Sequence, residues 1–295
     1  MRPEPGKRLR RRGTVDSGPA SPLYGACSTR CCRAPRAPPS ERSHVPLPAL
    51  PPYDPAAPGV IVFDNDDTLV HTSTPVTRIM AELFAAALDV PAPELQRQIL
   101  EGYRLAHDTY GHMARLHGKD AQWAAEMRAT IHRDLFARLT EVLAPNPRLL
   151  AQIGMLCERG HVVGVLTAAS RAYAHRVLEV IEVRERLHPE LVMTRDCVGG
   201  HFKTGPEPYL AFLDRSARIA PGRWHVMVED TAANLAAAAA LGFTTVLVGE
   251  PSPEPYVHAR YPDVEAFLDA LLAGDFRPRP AGTAAETARA IAAPT

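Results

Sequence analysis

Four short segments of the chain carry side chains able to handle a phosphate ester. Asp64-Asn65-Asp66-Asp67-Thr68 places carboxylates at alternate positions directly after an apolar run. Thr167 follows a second apolar run, Lys203 stands ahead of Gly205-Pro206, and Glu229-Asp230-Thr231 follows a third run. Asp64 and Asp66 can both approach one cation if the backbone turns just after the strand. With Asp230 they make an all-oxygen site of the kind that suits Mg²⁺. The Thr167 hydroxyl and the Lys203 ammonium are donors for the remaining phosphate oxygens. One carboxylate can then attack phosphorus, as aspartate does in enzymes that form an aspartyl-phosphate.

These segments need a scaffold that gathers them. Residues 59–63 read as a buried strand bounded by proline before and aspartates after. Thr74 then caps a helix with Pro75 at its first position, and Ile79, Met80, Leu83, Phe84, Ala87 and Leu88 fall at helical spacing. Pro93 opens a second helix reaching about Arg115, and Asp120 caps a third carrying Trp123, Met127, Ile131, Leu135 and Phe136. No strand is expected between residues 74 and 143. A helix from Pro147 to Arg159, closed by Gly160, precedes an alternation of strands (161–166, 190–194, 224–228, 244–248) with helices (170–183, 206–216, 232–241, 264–272). Such alternation predicts an α/β fold, a Rossmann-like parallel sheet with helices on both faces. Ligands of such sheets bind beyond the carboxyl ends of the strands, where all four segments fall. The helical block 74–143, inserted after the first strand, is a small cap that can sit over those ends.

Composition narrows the function classes. The 295 residues carry 33 basic and 33 acidic side chains, which gives no support to a nucleic-acid polymer or a membrane surface as partner. No apolar run is long enough to span a bilayer. The five cysteines form no disulfide framework; Cys27, Cys31 and Cys32 read as free thiols in a tail, Cys157 and Cys197 as inert buried ones. Residues 1–58 hold 13 of the 29 prolines and ten basic against four acidic residues, so this Pro/Arg-rich segment is expected to be disordered. Residues 59–73 and 144–274 form the expected core, and 275–295 a second loose tail. The location expected is cytoplasmic, and the oligomeric state is left open.

The segment Val62-Phe63-Asp64-Asn65-Asp66-Asp67-Thr68-Leu69 resembles the Asp-x-Asp-x-Thr signature of the haloacid dehalogenase (HAD)-like hydrolase superfamily, and the other three segments follow in that family's order. Tyr110-Gly111, the stretch Thr167–Leu178 and Val228–Leu235 are similar to the pyrimidine 5′-nucleotidase-like subgroup, except that Ala168 stands where that subgroup usually has Asn. The resemblance implies a Mg²⁺-dependent phosphomonoester hydrolase, with nucleoside 5′-monophosphates as one substrate class. Asp64 would be the nucleophile, and Asp66 the general acid and then base. Thr167 and Lys203 would bind phosphate. Asp64, the backbone carbonyl of Asp66, and Asp230 would hold the metal. Glu229 would act through water or make no direct contact, Asn234 would cap or pack the following helix, and Asp67 would be a turn residue. His71, Tyr110 and His112 are candidate substrate-side groups. A sugar-phosphate phosphatase or phosphomutase on the same core, or a non-catalytic binding protein on that scaffold, are the alternatives. The expected partner is a small phosphorylated metabolite.

Overall fold

The computed structural model describes residues 49–106 and 109–279. Six parallel strands form one sheet: β1 Val60–Phe63, β2 Val162–Leu166, β3 Val192–Met193, β4 His225–Glu229, β5 Thr244–Val248 and β6 Ala259–Tyr261. Their order is β3-β2-β1-β4-β5-β6, so the chain leaves central β1 toward one edge and later returns to its other side. That reversal opens a crevice at the carboxyl end of β1. All four residues of β1 are fully buried, as expected of a strand covered on both faces. Ile61 and Phe63 enter one core with Val163, Val165 and Val228; Val60 and Val62 enter the other with Met227 and Leu247. Helices α5 Pro147–Glu158 and α9 Val264–Ala273 cover the first face; α7 Glu207–Ile219 and α8 Ala232–Ala240 cover the second. Helix α6, Arg171–Val180, also packs in the first core through Val177 and Leu178.

Among the described residues the inserted block carries helices and no strand: α1 Ser73–Leu88, α2 Ala92–Ala106, α3 Thr109–Leu116 and α4 Ala121–Val142. Its apolar stripes (Ile79, Phe84, Ile99, Ile131, Leu139) run on continuously from the first core. The single helix expected from Pro93 to Arg115 is two. They fold against each other where Gly102 meets the His112 ring, at a spacing an added Cβ would find tight at 3.1 Å. Asp120 caps α4 as expected, accepting from Trp123 N at 2.8 Å.

Helix α1 starts earlier than the Thr74-Pro75 pair indicated. Asp67 takes a left-handed conformation (φ 58°) in a tight turn and accepts from the backbone N–H of Thr72 and of Ser73 at 2.9 and 3.0 Å. A carboxylate from outside the helix thus satisfies its first donors, and no cap is needed at Thr74.

The expected boundaries at 58 and 275 also move. Tyr53 packs edge-on against Trp224 and Phe276, with ring centroids 4.9 and 4.8 Å away, and Phe276 is fully buried. Residues 49–58 and 275–279 therefore belong to the packed fold. The remainder of both expected tails, with Cys27, Cys31 and Cys32, lies outside the described residues. Strand β6 was missed because its three residues are only partly covered and include an arginine. No helix among the described residues is long and apolar enough to cross a membrane.

Candidate active site

Strand register builds the site. Phe63 pairs with Val165 on one side and Val228 on the other, so Asp64 leaves β1 beside the ends of both β2 and β4. Its backbone N–H still bonds the Val228 carbonyl, at 2.9 Å. Its carboxylate therefore emerges next to Glu229 and Asp230. Carboxylate oxygens of Asp64, Glu229 and Asp230 lie within 4.8 Å of one another.

Lys203 reaches this cluster from the loop between β3 and α7. Its buried ammonium pairs with both Asp64 and Glu229. Arg195 stacks over the Phe202 ring at 4.2 Å and steadies the loop one residue away. Burial works to lower the Lys203 pKa, but its two carboxylates outweigh that and hold it above its ordinary value. Asp64 and Glu229 are both pushed up, first by burial, with Lys203 opposing and neighbouring carboxylates adding to the rise. Asp230 is raised by burial and then by Asp64. Three carboxylates thus share one ammonium, and the pocket is short of positive charge.

Asp66 stands outside that cluster. The same turn that sets Asp67 left-handed swings the Asp66 side chain away, and its Oδ1 accepts from the hydroxyls of Thr72 (2.7 Å) and Tyr173 (2.9 Å). Asn65, fully buried, donates to Oδ2 at 3.3 Å, while its own amide oxygen has no partner. Burial raises the Asp66 pKa, with Thr72, Tyr173 and Asn65 opposing. The expectation that Asp66 joins the cation site is corrected for its side chain; its backbone carbonyl is what remains for that role. Thr167, buried at the end of β2, accepts from Ala169 N at 3.0 Å.

Glu229 is the residue that sequence reasoning undervalued. It is almost wholly buried, pairs with Lys203, and accepts from Thr231 N (3.3 Å) and the Asn234 amide (3.2 Å). Asn234 therefore orients a site carboxylate, a task its sequence position did not disclose. Tyr173 and Thr72 were likewise given no part, although Tyr173 stood inside a quoted motif.

The substrate-side candidates scatter. His71 is exposed on the linker into α1. Tyr110 is buried inside the cap, 5.9 Å from Phe84 and 5.7 Å from His132, with Arg128 over its ring at 5.1 Å. His112 is half-buried against Gly102 with Nε2 unpartnered. Cys157 and Cys197 are half-buried thiols outside any disulfide: Cys157 donates to the Arg186 carbonyl and Cys197 lies 3.5 Å from the Thr194 hydroxyl, and burial pushes the Cys157 thiol pKa up. A cavity of about 380 Å³ lined by Tyr53, Arg159, His161 and Trp224 lies at the amino ends of the strands, opposite the carboxylates, and takes no part in their chemistry.

Residues 58–242 match the family model of the haloacid dehalogenase-like hydrolases. The chain belongs to that family. No curated protein matches it closely enough to count. Among solved structures, CbbY from Rhodobacter sphaeroides in complex with phosphate aligns with a TM-score of 0.55 at 21% identity, covering 71% of this chain and 96% of that one. CbbY has also been solved, as a mutant, with xylulose-(1,5)-bisphosphate (TM-score 0.52, 22% identity, 66% and 88% covered). A HAD family hydrolase from Deinococcus radiodurans with bound phosphate and sodium aligns at 0.52 and 22%, covering 75% and 98%. A HAD-superfamily hydrolase of subfamily IA from Geobacter sulfurreducens aligns at 0.54 and 18%, covering 72% and 96%. These likenesses establish a shared fold. HAD-like hydrolases generally use a divalent metal, and an acidic cluster of Asp64, Glu229 and Asp230 that could hold one is present in this chain.

Proposed function

We propose that this HAD-like hydrolase is a Mg²⁺-dependent phosphomonoesterase working through an aspartyl-phosphate on Asp64. The observation that carries the reading is the charge arrangement at the end of β1: three carboxylates within 4.8 Å around a single lysine, with a fourth carboxyl held apart by two hydroxyls. The oxygen-only donors and the deficit of positive charge fit a hard divalent cation. When bound by Asp64, Asp230 and the Asp66 carbonyl, Mg²⁺ supplies charge neutralisation between carboxylates and phosphate.

The chain's own residues divide the rest. Lys203 and the Thr167 hydroxyl donate to phosphate oxygens and orient phosphorus toward Asp64. An Asp64 oxygen attacks phosphorus as the ester bond to the alcohol breaks. Asp66, whose pKa burial raises, gives a proton to the departing alcohol and then takes one from the water that cleaves the aspartyl-phosphate. Glu229 keeps Lys203 in place, and Asn234 keeps Glu229 in place.

The substrate is a small phosphorylated metabolite. Nucleoside 5′-monophosphates are supported by the stretches 167–178 and 228–235 that are similar to the nucleotidase subgroup. Sugar phosphates fit about as well, since CbbY of the same fold was solved with a sugar bisphosphate. The test is a panel of both classes with purified protein and Mg²⁺, scored by released phosphate. Turnover that EDTA abolishes and Mg²⁺ restores, and that Asp64→Asn removes, is expected; full turnover in chelator, or in the Asn variant, refutes the reading.

A further inference from the structure

Asp66 is held by two hydroxyls that come from different parts of the molecule. Thr72 lies in the segment that leads from the turn into α1. Tyr173 lies in the first turn of α6, on the sheet side. Its hydroxyl bonds Asp66 Oδ1 at 2.9 Å, and its ring faces the cap, 6.5 Å from the Phe136 ring of α4. The Arg176 guanidinium, also on α6, bonds the Phe136 carbonyl at 3.4 Å, so this contact is a seam between cap and sheet.

A carboxyl oxygen has two lone pairs. With Thr72 at 2.7 Å and Tyr173 at 2.9 Å, both lone pairs of Oδ1 are taken. We propose that Tyr173 is a positioning residue for the general acid: with Thr72 it saturates Oδ1, so that the transferable proton of Asp66 resides on Oδ2 and the carboxyl keeps one rotamer. The long Asn65 contact on Oδ2, at 3.3 Å, leaves that oxygen open to carry it. This rests on the phosphomonoesterase reading. In the first half-reaction the bond from Asp64 oxygen to phosphorus forms, the bond to the alcohol oxygen breaks, and the alcohol leaves with the Oδ2 proton. Asp66 is then a carboxylate whose charge the two hydroxyls stabilise. In the second, water oxygen bonds phosphorus, the Asp64–phosphorus bond breaks, and a water proton returns to Oδ2.

A positioning role for the acid differs from a packing role in its dependence on the leaving group. A nitrophenolate departs without help; an alkoxide needs the proton. Tyr173→Phe keeps the ring against Phe136 and removes only the hydroxyl. In the full chain with Mg²⁺, kcat/KM on propyl phosphate should fall about tenfold, within what general acids contribute, while kcat/KM on p-nitrophenyl phosphate changes less than about twofold. Equal loss on both esters, or no loss on propyl phosphate, overturns the proposal. Crystal structures of the wild type and Tyr173→Phe supply a readout free of turnover: the Asp66 carboxyl should leave its single rotamer in the variant, and an unmoved Asp66 also overturns the proposal. Should the wild type hydrolyse neither ester, the phosphomonoesterase reading fails, and the Asp66 rotamer still decides whether Tyr173 positions that side chain.

Discussion

Lys203 has more carboxylate around it than it can neutralise, and this sets the energetics of the site at the scale of single residues. It pairs with Asp64 and Glu229, while Asp230 has no cation of its own among the described residues. Glu229→Gln removes one of the two partners that fix the lysine and one carboxylate of the cluster. Because it acts on the ligands rather than on phosphorus, turnover should survive at high Mg²⁺. The Mg²⁺ concentration for half activation should rise about ten- to hundredfold, the usual cost of losing an outer partner of a metal site. An activation curve for the variant checks this. An unchanged curve would mean Glu229 only packs. Asp64→Asn should instead give no turnover at any Mg²⁺ concentration. The signal that could have raised Glu229 in the sequence is its place: it ends β4 as its last strand residue and is buried, so its charge must be compensated.

At the scale of elements, β4 and α7 are joined by a buried histidine. His225 Nδ1 donates to the Arg223 carbonyl at 3.0 Å, so its Nε2 accepts from the Ser216 hydroxyl of α7 at 2.8 Å. Burial lowers its pKa from 6.5 to about 4, against the backbone hydrogen bond that raises it. As pH falls below 6.5 the unfolded imidazole gains a proton that the folded one refuses until about pH 4. The stabilisation is therefore whole above pH 6.5 and is lost across that window, by about 3 kcal/mol in total. Urea denaturation of wild type and His225→Gln at pH 7 and pH 4.5 should show the wild type losing more stability than the variant; parallel losses would show that His225 is charged in the fold. The same scale shows how far periodicity reaches. Helix and strand types were legible for β1, β2, β4, β5 and for α5 through α9, because apolar spacing and Gly or Asp ends mark them. The start of α1 was not, since its first donors are satisfied by Asp67, outside the helix and in a left-handed turn that an ordinary sequence pattern does not announce. Nor was the packing of α2 against α3, seen in the close approach of Gly102 to the His112 ring.

The whole molecule separates stability from chemistry along the strand axis. At the amino ends, Tyr53 locks Trp224 and Phe276 together, far from the carboxylates. Tyr53→Ala should cost about 3 kcal/mol of unfolding free energy, as loss of a packed aromatic does, and leave kcat unchanged; calorimetry and turnover together check both halves. Lone anchors such as Tyr53 and Phe276 were illegible beforehand because each sits in a proline-rich or polar stretch without periodicity.

On the proposed phosphomonoesterase reading, the cap would supply at the carboxyl ends what the sheet lacks, a wall for the leaving group. Tyr103 of α2 stands there. Its side chain keeps 45% of its surface open while its hydroxyl contacts Met80 Sδ at 3.5 Å. Burial, then the nearby Asp66 charge, pushes its phenol up to about 12, so it is a neutral donor at working pH. An accessible aromatic face beside the acid can stack on a base or cover a sugar, whereas Tyr110 is spent on packing within the cap. Tyr103→Ala should therefore change the ratio of kcat/KM between nucleoside 5′-monophosphates and sugar phosphates by about tenfold, since stacking on one base is worth about 1–3 kcal/mol. Methyl phosphate, too small to reach the ring, should be turned over as before. Tyr110→Ala should lower the melting temperature and depress every ester alike, because it opens a hole beside Phe84 and His132. If Tyr103→Ala depressed all esters equally, the cap would act as a general lid and selection would lie with the sheet loops.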